Sequence, residues 1–524
     1  MNDLHRTMTT HTLERQPEQA RSGAIPSAQA AANGLLALEQ RLREDLERLC
    51  LPGEDWLRRA EDDPVLDVAI VGGGMSGLAA AAALRLAGVR RVQVFDRHAA
   101  GQEGPWVTHA RMQTLRSPKH LTGPALGLPA LTFRAWYEAQ FGAAGWASLV
   151  RIPRVQWQNY LNWYRSVLDL SVTNQTRVED IEAVTLPDGS SGVSFQAWSE
   201  AAIGAGERRL LARHLVLATG MDGLGGPAIP ALAASLPRER WQHTSERIDF
   251  AALRGQRVGI VGGGDSALDA AATAAEAGVA SVNVFVRGAD FSRINYWKAF
   301  THPGHYHGFT GLSPEERQPL LDFLKAQKVP PAQDTVRRVA RWPNIRLHFS
   351  SPVDTLAETD DHEVVIFTPQ GEHTVDHLVF ATGYATDLSA RPELTGLAEH
   401  IRFWSERQPP LPAHFALESF PDLDADFSLR EKTPGDCPVL RRVHLFTGAA
   451  LLSQGKLTGD IPGISHGAQR LASGIVARLY AEDRERQFQA VRDYDELEVQ
   501  GHEWANNRVD PVSPSFQPSR ETVS

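Results

Sequence analysis

The chain has 524 residues, 42% of them apolar and 22% charged, enough for two or three packed domains. Its 53 basic and 63 acidic residues leave a net charge of −10, which argues against nucleic acid or an anionic membrane surface as the main partner. No apolar run reaches the ~20 residues that span a bilayer, the N-terminus has no secretory signal core, and the two cysteines (Cys50 and Cys437) form no CxxC; a cytoplasmic enzyme is expected.

Residues 1–63 read as an N-terminal extension. Its first 25 or so residues are polar and mobile in character. Between Ser27 and Arg59, Leu35, Leu36, Leu38, Leu42, Leu46 and Leu49 fall near helical spacing. They predict one amphipathic helix, packed on the body or on a second subunit. From Asp67 the chain reads DVAIV, a strand; GGGMSG, a turn; LAAAAALRLAGV, a helix; and RVQVFD, a second strand. An aromatic- and proline-rich stretch follows (101–165), then strands ending in HLVLATG (214–220). GQRVGIV, GGGDSA, LDAAATAAEAGV and SVNVFVR then repeat the first unit, and residues 69–97 align with 259–287 without a gap. Beyond lie a mixed helical region (290–340), the short strands IRLHF, VDTLAE, EVVIFT and HLVFATGY (377–384), and a helix from Ser465 to about Tyr480. A further helix reaches toward Val499, and the tail from Asn506 reads as disordered.

Each finger places glycines where a strand turns into a helix. The first permits the turn, the second lets backbone approach a pyrophosphate, and the third lets helix and strand pack. These are Gly72, Gly74 and Gly77 in the first copy, and Gly262, Gly264 and Ala267 in the second. Free N–H groups at the helix start then meet the anion, with Asp265 and Ser266 beside it in the second copy. The end of the second strand separates the two nucleotides. Asp96, followed by Arg97, can accept from a ribose diol, whereas Val286 and then Arg287 suit a 2′-phosphate. Copy one therefore fits FAD and copy two NADPH. The expected fold is α/β with two Rossmann-like domains. The NADPH domain (238–375) is inserted in a discontinuous FAD domain (64–237 and 376–480), and 481–524 hold a C-terminal helix and tail.

On these motifs the chain resembles the two-dinucleotide-binding flavoprotein monooxygenases, the class that includes flavin-containing, Baeyer–Villiger and N-hydroxylating enzymes. ARMQTLRSPKHLTGP (110–124) is similar to the N-hydroxylase segment that leads toward the flavin ring. The resemblance makes Met112, Gln113 and Lys119 candidates there. GPW (104–106) is similar to the family's Gly-Thr-Trp turn by the flavin, with Trp106 as a cofactor contact and proline replacing threonine. DHLVFATGY (376–384) fits the family strand that ends beside the nucleotides, and Thr382, Gly383 and Tyr384 are its cofactor candidates. Ser389 stands where the family shows His or Pro. WQHTSERIDF (241–250) keeps the fingerprint histidine as His243, but Glu239 replaces a glycine and Arg247 an aromatic, which breaks the Baeyer–Villiger pattern. SRINYWKAF (292–300) offers Asn295 toward substrate or NADP⁺, and GDIPGISHG (459–467) brings Gly459 and Asp460 to the flavin at the start of the last helix.

The resemblance implies a reaction in which NADPH reduces FAD, O2 adds to the flavin as a C4a-hydroperoxide, and a soft nucleophile takes the distal oxygen. Gln113, Lys119, His243 and Asn295 are the catalytic candidates. The substrate is an amine or amino-acid nitrogen, or a sulfur. Baeyer–Villiger oxygenation and a non-oxygenating NADPH-dependent reductase stay open as alternatives. The loop THPGHYHGF (301–309) carries three histidines at spacing that suits a substrate-side or solvated loop, and no metal is expected. Arg111, Arg116 and Arg293 permit a carboxylate substrate or cofactor phosphates. The partners expected are a small molecule and O2, with no nucleic acid and no membrane; a homo-oligomer is left open.

Overall fold

The computed structural model describes residues 27–57, 63–199, 206–221, 223, 225–407 and 420–509. Expectations for residues 1–26 and 510–524 lie outside them. Two sheets dominate, each built on one finger, the first mixed and the second parallel. The first holds β1 (Val65–Val71), β2 (Val92–Phe95), β3 (Val172–Thr173), β4 (Thr176–Thr185), β5 (Ser191–Ser199), β6 (Arg208–Leu217) and β17 (Val443–Leu445). Its order is β3-β2-β1-β6-β5-β4. β6 divides its edge: residues from Arg208 to Ala212 pair antiparallel with β5, and Leu215–Leu217 pair parallel with β17. The second sheet holds β8 (Trp241–His243), β9 (Arg257–Val261), β10 (Ser281–Phe285), β11 (Ile345–His348) and β15 (His377–Phe380), in the order β11-β10-β9-β15-β8 and parallel throughout. A three-stranded antiparallel sheet of β12 (Thr355–Glu358), β13 (Val364–Thr368) and β14 (Gly371–Val375) adjoins it in sequence. The pair β7 (Gly225–Pro227) and β16 (Tyr384–Thr386) forms a ribbon.

The internal repeat is thus an architectural repeat: β2-β1-β6 and β10-β9-β15 take corresponding places. Both ATG strands pair in parallel along their finger strand, and each ladder is extended by a corresponding hydrogen bond, Ala218 N to Val71 O (2.8 Å) and Ala381 N to Val261 O (2.9 Å). The helices α2 (Met75–Leu86) and α5 (Asp265–Glu276) are alanine-rich, which lets them lie flat on these sheets, and almost every residue of α2 is buried.

The N-terminal helix α1 runs Ala28–Arg48, capped by the Ser27 hydroxyl, which accepts from Ala30 N. It stops before Arg59 because Cys50 is left-handed (φ 52°) and Pro52 follows. Leu38 and Leu42, one turn apart, are buried, whereas Leu36 and Leu49 are exposed. α1 packs on α3 (Phe133–Ser148) of its own chain, and Gly34 makes the approach so close that a Cβ there would lie 1.8 Å from Ala139 O. The next helix, α4 (Arg154–Val167), buries Trp157, Tyr160 and Tyr164. Three helices, α6 (Pro303–Gly308), α7 (Pro314–Ala326) and α8 (Gln333–Val339), fill the mixed helical region. After α9 (Leu451–Gln454), α10 runs Ile464–Glu482 and α11 is short, Arg484–Arg492. The described residues through Val476 form one compact unit and those from Ala477 a second. No helix among the described residues is long and apolar enough to cross a membrane.

Candidate active site

In the first finger Gly72 turns the chain at φ 106°, and a Cβ there would lie 2.4 Å from Ala218 O. A Cβ on Gly77 would lie 1.8 Å from Gly72 O, so both positions demand glycine, the first for space and angle and the second for space. Gly74 caps α2 without a side-chain hydrogen bond, which leaves the first N–H groups of a 12-residue helix to an anion. Asp96 ends this strand with both oxygens engaged: Oδ2 accepts from Gly73 N (2.7 Å) and Oδ1 from His98 N (2.8 Å). Burial pushes its pKa up, but the bonds from His98 and Gly73 outweigh it and hold the group below its ordinary value. Arg97 beside it is exposed.

The GPW turn lies on this finger, since a Cβ on Gly74 would be 3.6 Å from Gly104 Cα. Trp106 stands edge-on to Trp157 (6.3 Å), and its carbonyl accepts from Arg154. Met112 is half-buried and the Gln113 side chain exposed, while Gln113 O accepts from Arg154 N (3.1 Å). Lys119 donates to Trp146 O (2.6 Å) and lies over the Trp146 ring, so its ammonium ties the loop to α3. Gly459 is left-handed (φ 64°), and Asp460 pairs with Lys456 (3.0 Å). Ser465 at the start of α10 holds the same loop from the other side, donating to Gly123 O (2.6 Å). Thr219 of the first ATG has a buried hydroxyl oxygen without a partner among the described residues. The glycine cradle, the uncapped helix and this orphan fit the pyrophosphate and polar edge of FAD.

The second finger opens on a cavity of about 490 Å³ lined by Gly262, Gly264, Val286, Arg287, Lys328 and Thr382 among others. Gly262 (φ 146°) meets Ala381 O as Gly72 meets Ala218 O: a Cβ would be 2.5 Å away. Gly264 caps α5, again without a side-chain bond, Ser266 is exposed, and Ala267 is fully buried. Arg287 is exposed and has no partner among the described residues. Asp265 is engaged elsewhere: Oδ1 accepts from Ala332 N (2.6 Å) and Oδ2 lies 3.1 Å from Arg116 Nη1. Thr382 donates to Ala228 O (2.5 Å), Gly383 turns at φ 81°, and Tyr384 stands edge-on to His243 (6.2 Å).

His243 is buried, and its Nδ1 accepts from Ser245 N (3.1 Å). That bond fixes the neutral tautomer with its proton on Nε2, which is buried with no close hydrogen bond among the described residues, the Gly383 backbone lying beside the ring. Burial also lowers its pKa, so the ring stays neutral. Asn295 likewise has a buried, unpartnered Oδ1. Of the four catalytic candidates, these two keep free hydrogen-bonding atoms inside the protein.

The three arginines read as carboxylate or phosphate ligands are otherwise employed. Arg111 donates to Thr244 O and Glu246 O (2.7 Å each), Arg116 pairs with Asp265, and Arg293 with Asp290 (2.8 Å). The histidine loop is half structural: His305 is buried, accepts from Lys456 N (3.2 Å) and is lowered to about 4, chiefly by burial. Among the described residues no group of His, Cys, Asp and Glu side chains could hold a metal ion.

Comparison with known proteins identifies the assembly. Residues 64–386 match the L-lysine 6-monooxygenase/L-ornithine 5-monooxygenase family. A FAD-dependent urate hydroxylase of Xanthomonas campestris pv. campestris is 41% identical over 472 residues, 89% of this chain and 98% of that protein. The chain belongs to this family of flavin-dependent monooxygenases. Solved relatives share the fold: the ornithine N-hydroxylase of Kutzneria sp. 744 superposes with a TM-score of 0.62 at 20% identity over 79% of this chain and 100% of that one. The L-lysine 6-monooxygenase of Pseudomonas syringae gives 0.58 at 20% identity over 80% and 99%.

Several residues that shape this monooxygenase carry no sequence signal. Glu103 is buried beside Gly73 and held by Arg165 (2.9 Å) and Asn174 (2.6 Å). Arg338 on α8 is buried: it grips Glu276 (2.6 and 2.8 Å), Thr273 (3.0 Å), Asp269 (3.3 Å) and Arg111 O (2.9 Å). Asp269, one turn along α5 from Asp265, is raised to about 6, chiefly by burial and despite Arg338. Burial lowers Arg111 to about 10.

Proposed function

We propose that this monooxygenase hydroxylates urate or a closely similar oxidised purine, with FAD and NADPH as its cofactors. The observation that carries the reading is the 41% identity to a urate hydroxylase across 89% of the chain. The site's chemistry agrees with it. An amino-acid substrate needs a cation for its carboxylate, and Arg111 and Arg116 are each committed within the protein, while Arg293 pairs with Asp290 at the surface. Urate is a planar anion with an electron-rich ring carbon, a soft nucleophile that needs no deprotonated amine. The family match keeps amine N-hydroxylation as the second reading.

When bound, FAD would supply hydride acceptance from NADPH and activation of O2 for transfer of one oxygen atom. The chain's residues bind and orient. Gly72, Gly74, Gly77 and the start of α2 take the FAD pyrophosphate, and Asp96 keeps lone pairs for its ribose. Gly262, Gly264 and the start of α5 take the NADPH pyrophosphate, with Arg287 at the 2′-phosphate. His243 offers its Nε2 proton as a donor, and Asn295 Oδ1 accepts an N–H such as a purine carries. The start of α10 would offer its backbone N–H groups to the flavin, favouring negative charge on the reduced ring.

The test is turnover of the FAD-loaded protein with NADPH under ¹⁸O2, with urate, ornithine, lysine and a cyclic ketone offered separately. The expected result is loss of urate absorbance matched one-for-one by NADPH oxidation, with one labelled oxygen in the product. Hydroxylamine formation from an amino acid would transfer the reading to N-hydroxylation. A lactone would favour Baeyer–Villiger chemistry, and peroxide alone in every case the reductase.

A further inference from the structure

Arg287 does not face the second cavity as the lone cation. Lys328, from the segment between α7 and α8, lines the same cavity, and its Nζ lies 3.7 Å from where a Cβ on Gly288 would sit, next to Arg287. Both side chains are exposed and neither has a partner among the described residues. The acid on the same wall, Asp290, is neutralised by Arg293 (2.8 Å) and accepts from Phe291 N (2.7 Å).

The lysine's position has a cause. Its segment is tied to the finger helix by a clasp reaching from the loop at 110–124. Arg116 pairs with Asp265 Oδ2 (3.1 Å) and donates to Pro330 O, while Asp265 Oδ1 accepts from Ala332 N (2.6 Å). Asp265 opens α5, where an unscreened carboxylate would repel a pyrophosphate. Arg116 removes that repulsion and fixes residues 330–332 in one step.

We propose that Lys328, held over the cavity by the Arg116–Asp265 clasp, is a second reader of the dinucleotide's 2′-phosphate beside Arg287, and that Arg116 is its positioning residue. The inference rests on the second finger binding a nicotinamide dinucleotide. Selectivity for the phosphorylated cofactor is then set jointly by the β10 end and by a segment that an arginine of the flavin-side loop places. Two cations on one dianionic phosphate outdo one, because each adds a charge-assisted bond to the same group.

The experiment is equilibrium binding of 2′,5′-ADP and of 5′-AMP to the FAD-loaded protein by calorimetry, for wild type, Arg287→Ala, Lys328→Ala, Lys328→Arg and Arg116→Ala. Binding of 5′-AMP is the folding control, since it reads the same cavity without the 2′-phosphate. Lys328→Ala is expected to weaken 2′,5′-ADP about tenfold, roughly 1.4 kcal/mol, and to leave 5′-AMP unchanged. Lys328→Arg should retain most of the preference. Arg116→Ala should lose it in part without touching the cavity wall. Equal weakening of both ligands by Lys328→Ala, or no weakening of either, overturns the proposal. Wild type that binds both ligands equally refutes the phosphate reading alone, and wild type that binds neither refutes the nicotinamide reading with it.

Discussion

Replacing Arg338 by methionine tests the polar seam that joins α5, α8 and the loop at 111. The arginine side chain is 8% exposed and Asp269 only 6%, whereas Glu276 is 34% exposed and can be rescued by water. Asp269 therefore bears the loss, keeping the Thr335 hydroxyl at 3.2 Å as its partner. Its carboxyl stands at about 6 against an ordinary 3.8 even with Arg338 present. A carboxyl raised in the folded chain binds its proton more tightly there, so its contribution to stability is full below about 4 and is lost as pH rises through about 6. Without Arg338 the pKa climbs further, and the variant's deficit grows above pH 6 by up to about 1.4 kcal/mol per pH unit, reaching about 3 kcal/mol at pH 8 where the carboxyl stays protonated. The lost hydrogen bonds to Arg111 O and Thr273 add about 1–2 kcal/mol at every pH. The total at pH 8, about 4–5 kcal/mol, is of the size found for breaking a buried ion pair. At about 2 °C per kcal/mol for a large domain, Tm should fall by roughly 8–10 °C at pH 8 and by far less at pH 6. Circular dichroism melts of wild type, Arg338→Met and Arg338→Met/Asp269→Asn at pH 6, 7 and 8 read this out. The double variant should lose the pH dependence and recover most of the stability. A deficit that does not change with pH, or one that Asp269→Asn leaves untouched, refutes the assignment of the cost to Asp269.

Gly77→Val should abolish FAD retention, measured as flavin per protein after desalting, because its Cβ alone would lie 1.8 Å from Gly72 O; Ala267→Gly at the matching position of the second finger should keep full flavin content. Gly34→Ala should pry α1 from α3, since its Cβ would meet Ala139 O at 1.8 Å. Limited proteolysis would then cut within α1 sooner than in wild type, and unchanged digestion would count against that packing. His377, buried on β15, is lowered to about 4, chiefly by burial. A depressed histidine contributes stability above pH 6.5 that is lost as pH falls toward 4, on the order of 2 kcal/mol at pH 5. His377→Leu should therefore flatten the decline of Tm between pH 7 and 5, and an unchanged slope would move the acid sensitivity elsewhere.

Local sterics are what the amino-acid sequence makes legible. A strand that must turn within two residues under a crossing carbonyl admits only glycine, so Gly72 and Gly262 announce themselves and their neighbours align. The leucines of the N-terminal helix reveal it and, with Leu49 the last of them, nearly its end; the stretch from Ser27 to Arg59 is too long because Cys50 turns left-handed and Pro52 follows. The arginines are visible but their partners are not. Arg111, Arg116 and Arg338 satisfy backbone carbonyls at Thr244, Pro330 and Arg111, all more than 130 positions away in the chain. A carbonyl oxygen belongs to every residue, so no side-chain pattern marks it as a partner. An arginine beside a finger then looks like a phosphate ligand when it is a clasp.

The two fingers also show how one duplicated unit comes to serve two cofactors. At the residue between the first two glycines, a Cβ on Gly73 would meet Asp96 Cβ at 3.3 Å, and one on Gly263 would meet Val286 Cγ1 at 2.8 Å. The second-strand residue therefore packs on its finger in both copies, and neither can be exchanged for a longer side chain without moving the turn. In the first copy that residue is a carboxylate, so it also bonds Gly73 N and places a negative charge beside the turn. In the second it is a valine, which fills the space and leaves no acid there. The charge is handed to the next residue, Arg287, which faces the open cavity and is free to meet a phosphate. A single position thus carries both the packing of the turn and the sign of the charge beside it. Because both roles fall on one residue at a fixed distance from the glycines, the contrast between Asp96 and Val286 is legible in the amino-acid sequence. Lys328 acts on the same field from a distant segment, at no fixed spacing from the finger, and only the folded chain brings it there.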